Sequence, residues 1–385
     1  MYVDVRTYFR FMYLALFRGR DVYHRPTARR TIGLLAFFLL FPLFELFTAI
    51  CLLLDHVFFP GFRRIELERP LFIVGHPRSG TTYLHKLLAQ DDRQFFSIRA
   101  WEAFFPSILQ KKVMAWVGRV DRKLGGRLKA GIERREQRRT EKFRHIHEMG
   151  LFALAEDDRF FLHSFTSQGL LWLIHPCEPG WQFYFDEKVT ERDCERVMRF
   201  YRACLKRQAY FKGGHRNLLS KSPLASLRVR SLSRYFPGCR FIYTVRDPLE
   251  AVPSLLSFGK TFWESNPNIR NADTQQRWLY EGIRETYRHP LASLKEADPA
   301  TWEIVRHADL LRETAQRVRA TYAKLGYTMS QEFENVLERE NEKQRSYRSG
   351  HPTSLEPFGL THEQVFEDFK DVFDQCKFDT TSSTT

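Results

Sequence analysis

The residues best suited to chemistry lie in a stretch that begins as an apolar strand and ends as a helix, and it reads Leu71-Phe72-Ile73-Val74-Gly75-His76-Pro77-Arg78-Ser79-Gly80-Thr81-Thr82-Tyr83-Leu84. The spacing of Gly75 and Gly80 is that of a phosphate-binding loop, in which loop amides and a helix N-terminus hold an anion. Thr81 stands where a nucleoside-triphosphate loop has its lysine, and Arg78 carries the positive charge instead. We therefore expect a nucleotide with less terminal charge than ATP and no obligatory metal ion.

Two further strand ends place a cation just before a helix-start signal. Lys221 is followed by Ser222 as a predicted N-cap and by proline at the first helical position. Arg246 is followed in the same way by an aspartate and a proline. Because parallel strands end at one edge of a sheet, where ligands bind, Arg78, Lys221 and Arg246 are expected to converge on one polyanion. Each cation alone could instead pair with a nearby carboxylate.

The elements that must position these residues alternate between strands and helices. The predicted strands are Leu71–Gly75, Asn217–Lys221, Arg240–Val245 and Trp302–Arg306, and the predicted helices cover 80–90, start at 224 and 249, and cover 310–325. This order predicts an α/β fold, a P-loop-like parallel sheet flanked by helices, with an N-terminal apolar membrane-anchor segment. We place the catalytic domain at 66–378 and a disordered tail at 379–385.

Residues 1–60 form a basic, aromatic N-terminus and the proposed anchor. The apolar run 33–54 is long enough to cross a bilayer and is interrupted only by Pro42 and Glu45. A carboxylate near mid-span costs about 3 kcal/mol, and a proline permits a re-entrant hairpin. A spanning or hairpin anchor, an interfacial anchor and a buried core helix therefore all remain open.

The net charge of +14 and pI near 9.6 favour an anionic partner. The basic residues form no nucleic-acid module, so we expect no nucleic-acid partner. The six cysteines show no zinc spacing, and the pair His145 and His147 lacks a third ligand at a characteristic spacing, so no metal is expected. No Asn-x-Ser/Thr acceptor occurs, which favours a cytoplasmic catalytic domain. A single crossing would instead place it in the Golgi lumen of a eukaryote.

Taken together, these motifs resemble the sulfotransferases that use 3′-phosphoadenosine 5′-phosphosulfate (PAPS), in the bacterial-type branch related to tyrosylprotein sulfotransferases. The likeness covers about 71–378. It is carried by the loop Pro77-Arg78-Ser79-Gly80-Thr81-Thr82, by Lys221-Ser222-Pro223 and Arg246-Asp247-Pro248 to Ser254, by Phe236-Pro237-Gly238-Cys239-Arg240, by Ala308-Asp309-Leu310 and by Phe358-Gly359-Leu360-Thr361.

The resemblance implies a role for each part of the site. The loop from Gly75 to Thr82, with Pro77, Arg78, Ser79, Gly80 and Thr81, would bind the 5′-phosphate through its amides and hydroxyls. Arg246 and Ser254 would hold the 3′-phosphate, and Arg348 in a C-terminal loop would cover the nucleotide.

The transfer itself needs cations for the leaving group and a base for the acceptor hydroxyl. Arg78 and Lys221 match the leaving-group cations, and Glu102 lies near the position of the glutamate base. His145, His147 and the group Glu156-Asp157-Asp158 are alternative bases.

The sequence therefore predicts a membrane-associated enzyme that moves a sulfuryl group from PAPS to a hydroxyl of a lipid, glycolipid, sterol-like or saccharide acceptor. The alternatives are a P-loop kinase of a nucleoside or lipid and a non-catalytic nucleotide-binding membrane protein.

Overall fold

A computed structural model of the chain contains a parallel sheet built from short, buried strands. The strands are β1 (Leu71–Gly75), β2 (Phe95–Phe96), β3 (Asn217–Lys221), β4 (Arg240–Val245) and β5 (Trp302–Arg306). Within the described ranges, 4–17, 27–140, 150–167, 170, 185–265, 272–345 and 354–378, the strand order is β2-β3-β1-β4-β5. The register pairs Ile73 with Lys221 and Gly75 with Thr244, so the predicted strand-end cations share one edge with the loop.

Helices surround the sheet. Those before β3 are α1 (Val5–Leu16), α2 (Ala28–Phe58), α3 (Thr81–Leu88), α4 (Ala100–Phe104), α5 (Ile108–Lys123), α6 (Arg127–Thr140), α7 (Phe185–Lys188) and α8 (Glu191–Phe211). Those after it are α9 (Val229–Tyr235), α10 (Pro248–Ser265), α11 (Ala272–Lys295), α12 (His307–Arg312), α13 (Thr314–Leu325), α14 (Gln331–Arg345), α15 (His362–Asp368) and α16 (Lys370–Cys376). Short 3-10 helices lie at Pro60–Arg64, Asp157–Leu162, Pro223–Arg228, Pro299–Thr301 and Glu356–Phe358.

Alternate residues of each strand face opposite layers of the core. In β1, Phe72 and Val74 pack in one hydrophobic cluster with α8 to α11, whereas Leu71 and Ile73 pack in a second cluster with α3 and α12 to α14. Both faces of the sheet are therefore buried, as expected of a parallel sheet covered by helices.

The predicted α/β class and the four predicted strands are confirmed. The sequence missed β2, because two residues are too few to show a strand pattern. The helix expected from 224 begins as the 3-10 helix Pro223–Arg228. The helix expected over 310–325 is divided at Glu313, whose φ of −135° is not helical.

The apolar helix α2 is continuous over 31 residues and passes through Pro42 without turning back. It is the one described helix whose length and hydropathy would suffice to cross a membrane. One of its faces is buried against protein, including Leu34, Phe38, Glu45 and Asp55. The boundaries at 60, 66 and 378 stay predictions, and the tail 379–385 lies outside the described residues.

The first helix pairs with the N-terminal half of α2. The Tyr8 hydroxyl donates to the Phe38 carbonyl, and an Arg30 guanidinium nitrogen donates to the Ala15 carbonyl over 3.3 Å. Phe165 completes this small aromatic cluster through an edge-on contact with Phe11. The two helices therefore form an antiparallel hairpin that is attached to the rest of the protein.

Candidate active site

The phosphate-binding loop occupies the end of β1, with glycines where it passes closest to other elements. Gly75 has φ 147°, and a side chain there would overlap the carbonyl and hydroxyl of Thr244. Gly80 has φ 88°, and a Cβ there would lie 2.9 Å from His307 Cδ2. Arg78 takes φ 71°, a left-handed conformation that is uncommon for residues other than glycine. The compact turn therefore delivers the chain to the start of α3, where the first N–H groups lack intrahelical acceptors.

Several polar groups of the loop form hydrogen bonds that fix the conformation of the loop itself. The buried Ser79 hydroxyl donates to the His76 carbonyl over 2.7 Å and shares a second 2.7 Å bond with the Thr244 hydroxyl. The Gly75 amide donates to Ser226 Oγ over 2.8 Å. These bonds hold the turn against β4 and the 3-10 helix Pro223–Arg228, so the Ser79 hydroxyl stabilises the conformation of the loop. The amides and hydroxyls of Thr81 and Thr82 lie at the start of α3.

His76 connects the loop to the end of β4. Its Nδ1 lies 2.8 Å from the Pro77 carbonyl, and its Nε2 lies 3.1 Å from the amide of Arg246. Burial, together with the charge of Arg246, lowers the pKa of His76 to about 3. The imidazole is therefore neutral, Nε2 accepts from Arg246, and Nδ1 donates to Pro77. Tyr287 stacks on the ring at 4.3 Å and donates its hydroxyl to the Arg246 carbonyl over 2.6 Å.

The predicted 3′-phosphate residues lie beside the loop. Arg78 Nε donates to Ser254 Oγ over 3.3 Å, which joins the loop to α10. Arg246 is buried, and its Nε donates to Glu250 Oε2 over 2.8 Å. The predicted cap of α10 is present, because Asp247 Oδ1 accepts from the Leu249 amide over 2.8 Å. Arg78, Arg246 and Ser254 thus share one region at the carboxyl edge of the sheet.

Lys221 lies on the other side of the loop. Its buried ammonium group donates to Glu156 Oε1 over 2.8 Å and to Thr82 Oγ1 over 3.4 Å. The hydroxyl of the next residue, Ser222, is buried and has no hydrogen-bond partner within the described residues. Ser222 occupies the predicted N-cap position ahead of the 3-10 helix Pro223–Arg228, but its side chain makes no cap bond. An anion at the loop would thus meet a lysine ammonium and a buried hydroxyl.

The structure does not bring Glu102 to this loop. Its carboxylate accepts from the Arg99 amide over 2.8 Å, from Gln208 Nε2 over 2.9 Å and from Lys212 Nζ over 2.6 Å. Gln208 and Lys212 lie where α8 leads into the amino end of β3. Lys221 is at the carboxyl end of β3, about 13 Å along the strand from Asn217 at its amino end. Glu102 closes a capping box on α4.

Of the three consecutive acids proposed as alternatives, Glu156 is the one bonded to Lys221. Asp157 accepts from Ser220 over 2.6 Å and also from Tyr201, and burial raises its pKa to about 6. Asp158 accepts from Arg228 over 3.0 Å and from Ser167. Asp157 and Asp158 therefore belong to buried networks behind the site.

Two histidines near the loop were not identified from the sequence. His307 follows β5, and burial with the charge of Arg246 lowers its pKa to about 4. His85 is buried on α3, where burial and Lys221 lower its pKa to about 3. The position of His307 at a strand end was the available signal. Arg348, His145 and His147 lie outside the described residues, and no group of three or more metal-ligating side chains occurs among those described.

Comparisons with known proteins show which family the chain belongs to. The sequence profile of the Sulfotransferase family matches residues 70–331. Omega-hydroxy-beta-dihydromenaquinone-9 sulfotransferase Stf3 is 26% identical over 338 residues in both Mycobacterium bovis and Mycobacterium tuberculosis, covering 81% of this chain and 76% of the relative.

Two crystal structures show the same fold. Sulfotransferase STF9 from Mycobacterium avium has a TM-score of 0.70 at 18% identity, covering 98% of this chain and 92% of that one. Sulfotransferase STF1 from Mycobacterium tuberculosis has a TM-score of 0.64 at 16% identity, covering 96% and 93%. The chain belongs to the sulfotransferase family, whose members generally take the sulfuryl group from PAPS.

Proposed function

We propose that the protein transfers a sulfuryl group from PAPS to the hydroxyl of a lipid-like acceptor, and that this happens at the carboxyl edge of the sheet. The observation that carries the proposal is the position of Lys221, which is buried between Thr82 at the start of α3 and Glu156. A cation held there can stabilise charge on a 5′-phosphate at the loop, and a carboxylate stands beside it.

The residues present suit both phosphates of the donor. In this proposal the N-cap Gly80 and the first residues of α3, Thr81 and Thr82, hold the 5′-phosphate. The Ser222 hydroxyl, which has no partner among the described residues, donates to the phosphosulfate. Arg246 and Ser254 hold the 3′-phosphate, with Arg78 linking the two subsites through its bond to Ser254. Arg348 stays a prediction for the nucleotide cover. A nucleoside triphosphate offers no 3′-phosphate to Arg246 and Ser254, so the kinase alternative gives these two residues no role in nucleotide binding.

The transfer is an in-line displacement at sulfur. The acceptor oxygen forms a new bond to sulfur, and the bond from sulfur to the bridging 5′-phosphate oxygen breaks. The electron pair leaves with adenosine 3′,5′-bisphosphate, where Lys221 and Arg78 stabilise the charge. The acceptor proton passes to a base.

We propose Glu156 as that base. It is partly exposed, with 28% of its side chain accessible, and it touches Lys221. Glu102 remains the prediction from motif position, but its buried carboxylate is bonded to three other groups and lies toward the opposite edge of the sheet.

A lipid acceptor is supported by the Stf3 relatives, whose name specifies an omega-hydroxylated dihydromenaquinone. It is also supported by the exposed apolar residues of α2. We propose that the protein is membrane-associated, with its catalytic domain on the cytoplasmic side. The absence of Asn-x-Ser/Thr glycosylation sites from the sequence supports this choice of side.

The test is transfer from labelled PAPS into lipid extracts in the presence of a metal chelator, followed by product mass. A gain of one sulfuryl unit by a hydroxylated lipid would support the proposal. Calorimetry with adenosine 3′,5′-bisphosphate measures nucleotide binding separately from sulfuryl transfer. Failure to bind at micromolar concentrations overturns the donor assignment, whereas binding without turnover on any acceptor favours the non-catalytic alternative. Transfer from ATP that requires magnesium would favour a kinase.

A further inference from the structure

We propose that the outer face of α2 rests on the surface of an anionic bilayer, with the helix in the membrane plane rather than across it. The outer face is defined here by one row of exposed apolar side chains, namely Leu35, Leu39, Leu43, Leu46, Ile50 and Leu53. Their spacing of three and four residues places them on one side of the helix. Each is between 49% and 69% exposed, so this surface is not covered by the described part of the protein.

The opposite face of α2 is occupied by buried polar contacts with the catalytic domain. Glu45 accepts from His163 Nδ1 over 2.9 Å, with both side chains buried. One turn further, the Thr48 hydroxyl accepts from Gln110 Nε2 over 3.2 Å. Asp55 accepts from Arg207 Nε over 2.9 Å. A crossing helix would draw these charged groups and the elements that carry them into hydrocarbon, which is costly. A helix lying in the interface leaves all of these contacts intact.

The charges around the outer face match an anionic surface. Between Ile32 and Leu53 the only charged residue is Glu45, and it is buried on the other side. Helix α5 packs against the same helix, and its Lys112 lies over the Phe59 ring at 5.2 Å. Helix α5 exposes Trp116 together with the basic residues Arg119, Arg122 and Lys123. Exposed apolar, tryptophan and basic side chains on neighbouring helices are typical of proteins that bind the interface of an anionic membrane.

The same arrangement is present on α1, the partner of α2 in the hairpin. Its exposed positions alternate between the aromatic residues Phe9 and Tyr13 and the basic residues Arg6 and Arg10. The exposed surface of α1 therefore also combines aromatic and basic side chains.

A short segment joins this surface to the reaction centre. The 3-10 helix Asp157–Leu162 is preceded by Glu156, the partner of Lys221, and followed by His163, the partner of Glu45. Membrane contact at α2 would therefore orient the site relative to the bilayer. The docking inference is independent of which acceptor is used.

The experiment compares flotation of the full chain with vesicles of phosphatidylcholine and phosphatidylglycerol and with vesicles of phosphatidylcholine alone. We expect binding to the anionic vesicles that weakens at high salt. Leu39→Asp with Leu43→Asp should lower the partition coefficient at least about tenfold, because charges oppose insertion of the face. The matched control is Gln331→Asp with Asn335→Asp, two exposed positions on α14, which add the same charge and should leave binding unchanged.

Nitroxide labels at Leu35→Cys, Leu43→Cys and Leu53→Cys distinguish the two orientations. Equal, shallow depths for all three labels would support the inference, whereas a deep label at 43 with shallow labels on either side would overturn it in favour of a crossing. Equal binding by the two double variants would also overturn it, as would a dimer in sedimentation that only the outer-face variant disrupts. Unchanged melting and unchanged binding of adenosine 3′,5′-bisphosphate show that the outer-face variant is folded.

Discussion

The Lys221 ammonium group lies 2.8 Å from Glu156 Oε1, and only 3% of the lysine side chain is exposed. The pair is at the end of β3, and the hydroxyl of Thr82 at the start of α3 is the second acceptor for the lysine. Because a buried charge needs a partner, the carboxylate keeps the lysine in place at the loop. Phosphate oxygens of a bound nucleotide can replace Glu156 as the partner of the Lys221 ammonium group.

Lys221→Met should lower kcat by about 10²- to 10³-fold, because the charge that develops on the leaving phosphate loses its cation. Steady-state kinetics with saturating PAPS measure this effect. The matched control is Lys212→Met, which removes a cation paired with Glu102 instead. An equal loss of kcat in both variants would contradict the role of Lys221.

Glu156→Gln should lower kcat by about 10²- to 10⁴-fold, the usual contribution of a general base, while adenosine 3′,5′-bisphosphate still binds. Glu102→Gln should instead lower the free energy of unfolding by about 1–3 kcal/mol, because it weakens buried bonds to Lys212 and Gln208. Its activity per folded molecule should be near normal. The reverse pattern would assign the base to Glu102.

Arg246→Ala and Ser254→Ala should weaken the preference of the protein for nucleotides that carry a 3′-phosphate. The wild-type protein should bind adenosine 3′,5′-bisphosphate more tightly than adenosine 5′-monophosphate, and Arg246→Ala should reduce that ratio about 10- to 100-fold. Calorimetry with both nucleotides provides the two affinities. The control is Arg240→Ala, at the amino end of β4, the strand that Arg246 follows. This variant should preserve the ratio. A ratio unchanged in Arg246→Ala would place the 3′-phosphate elsewhere.

Gly80→Ala should destabilise the loop by about 1–3 kcal/mol and weaken nucleotide binding, since φ is 88° and the added Cβ would meet His307 at 2.9 Å. Gly131→Ala in α6 is the control, because no atom lies within 4 Å of its added Cβ. That change should be neutral or slightly stabilising. Chemical denaturation of both variants, with and without nucleotide, measures the difference, and similar losses would contradict the constraint at Gly80.

Stability should fall as the pH is lowered from about 6.5 toward 4. The folded-state pKa values of His76, His85 and His307 are lowered to about 3, 3 and 4, so each contributes stability above its unfolded pKa near 6.5 and loses it as pH falls. Asp157 acts in the opposite direction, because its pKa is raised to about 6. Because three histidines outweigh the single aspartate, the free energy of unfolding falls as the pH is lowered.

Urea denaturation at several pH values measures this slope, which should exceed about 1 kcal/mol per pH unit. His85→Gln should flatten the curve. A curve that is unchanged in this variant would contradict the assignment of His85 as a buried neutral group.

Much of the fold could be predicted because its signals are local. β1, its glycine-bounded loop and the start of α3 follow one another in the chain, and alternation of strands with helices specifies a parallel sheet. Since parallel strands share one carboxyl edge, the placement of Arg78, Lys221 and Arg246 along that edge also followed from their positions at strand ends.

The sequence by itself also determined, through its composition, that residues 33–54 form an apolar run long enough to span a bilayer. The structure showed that this run is part of one continuous helix. Tertiary structure decided which of its faces is exposed, because Glu45 is buried by His163, 118 residues away. It likewise decided that Glu156 meets Lys221 across 65 residues of chain whereas Glu102 pairs with Lys212 across 110. Such contacts depend on how distant elements pack, and local propensity carries no information about that.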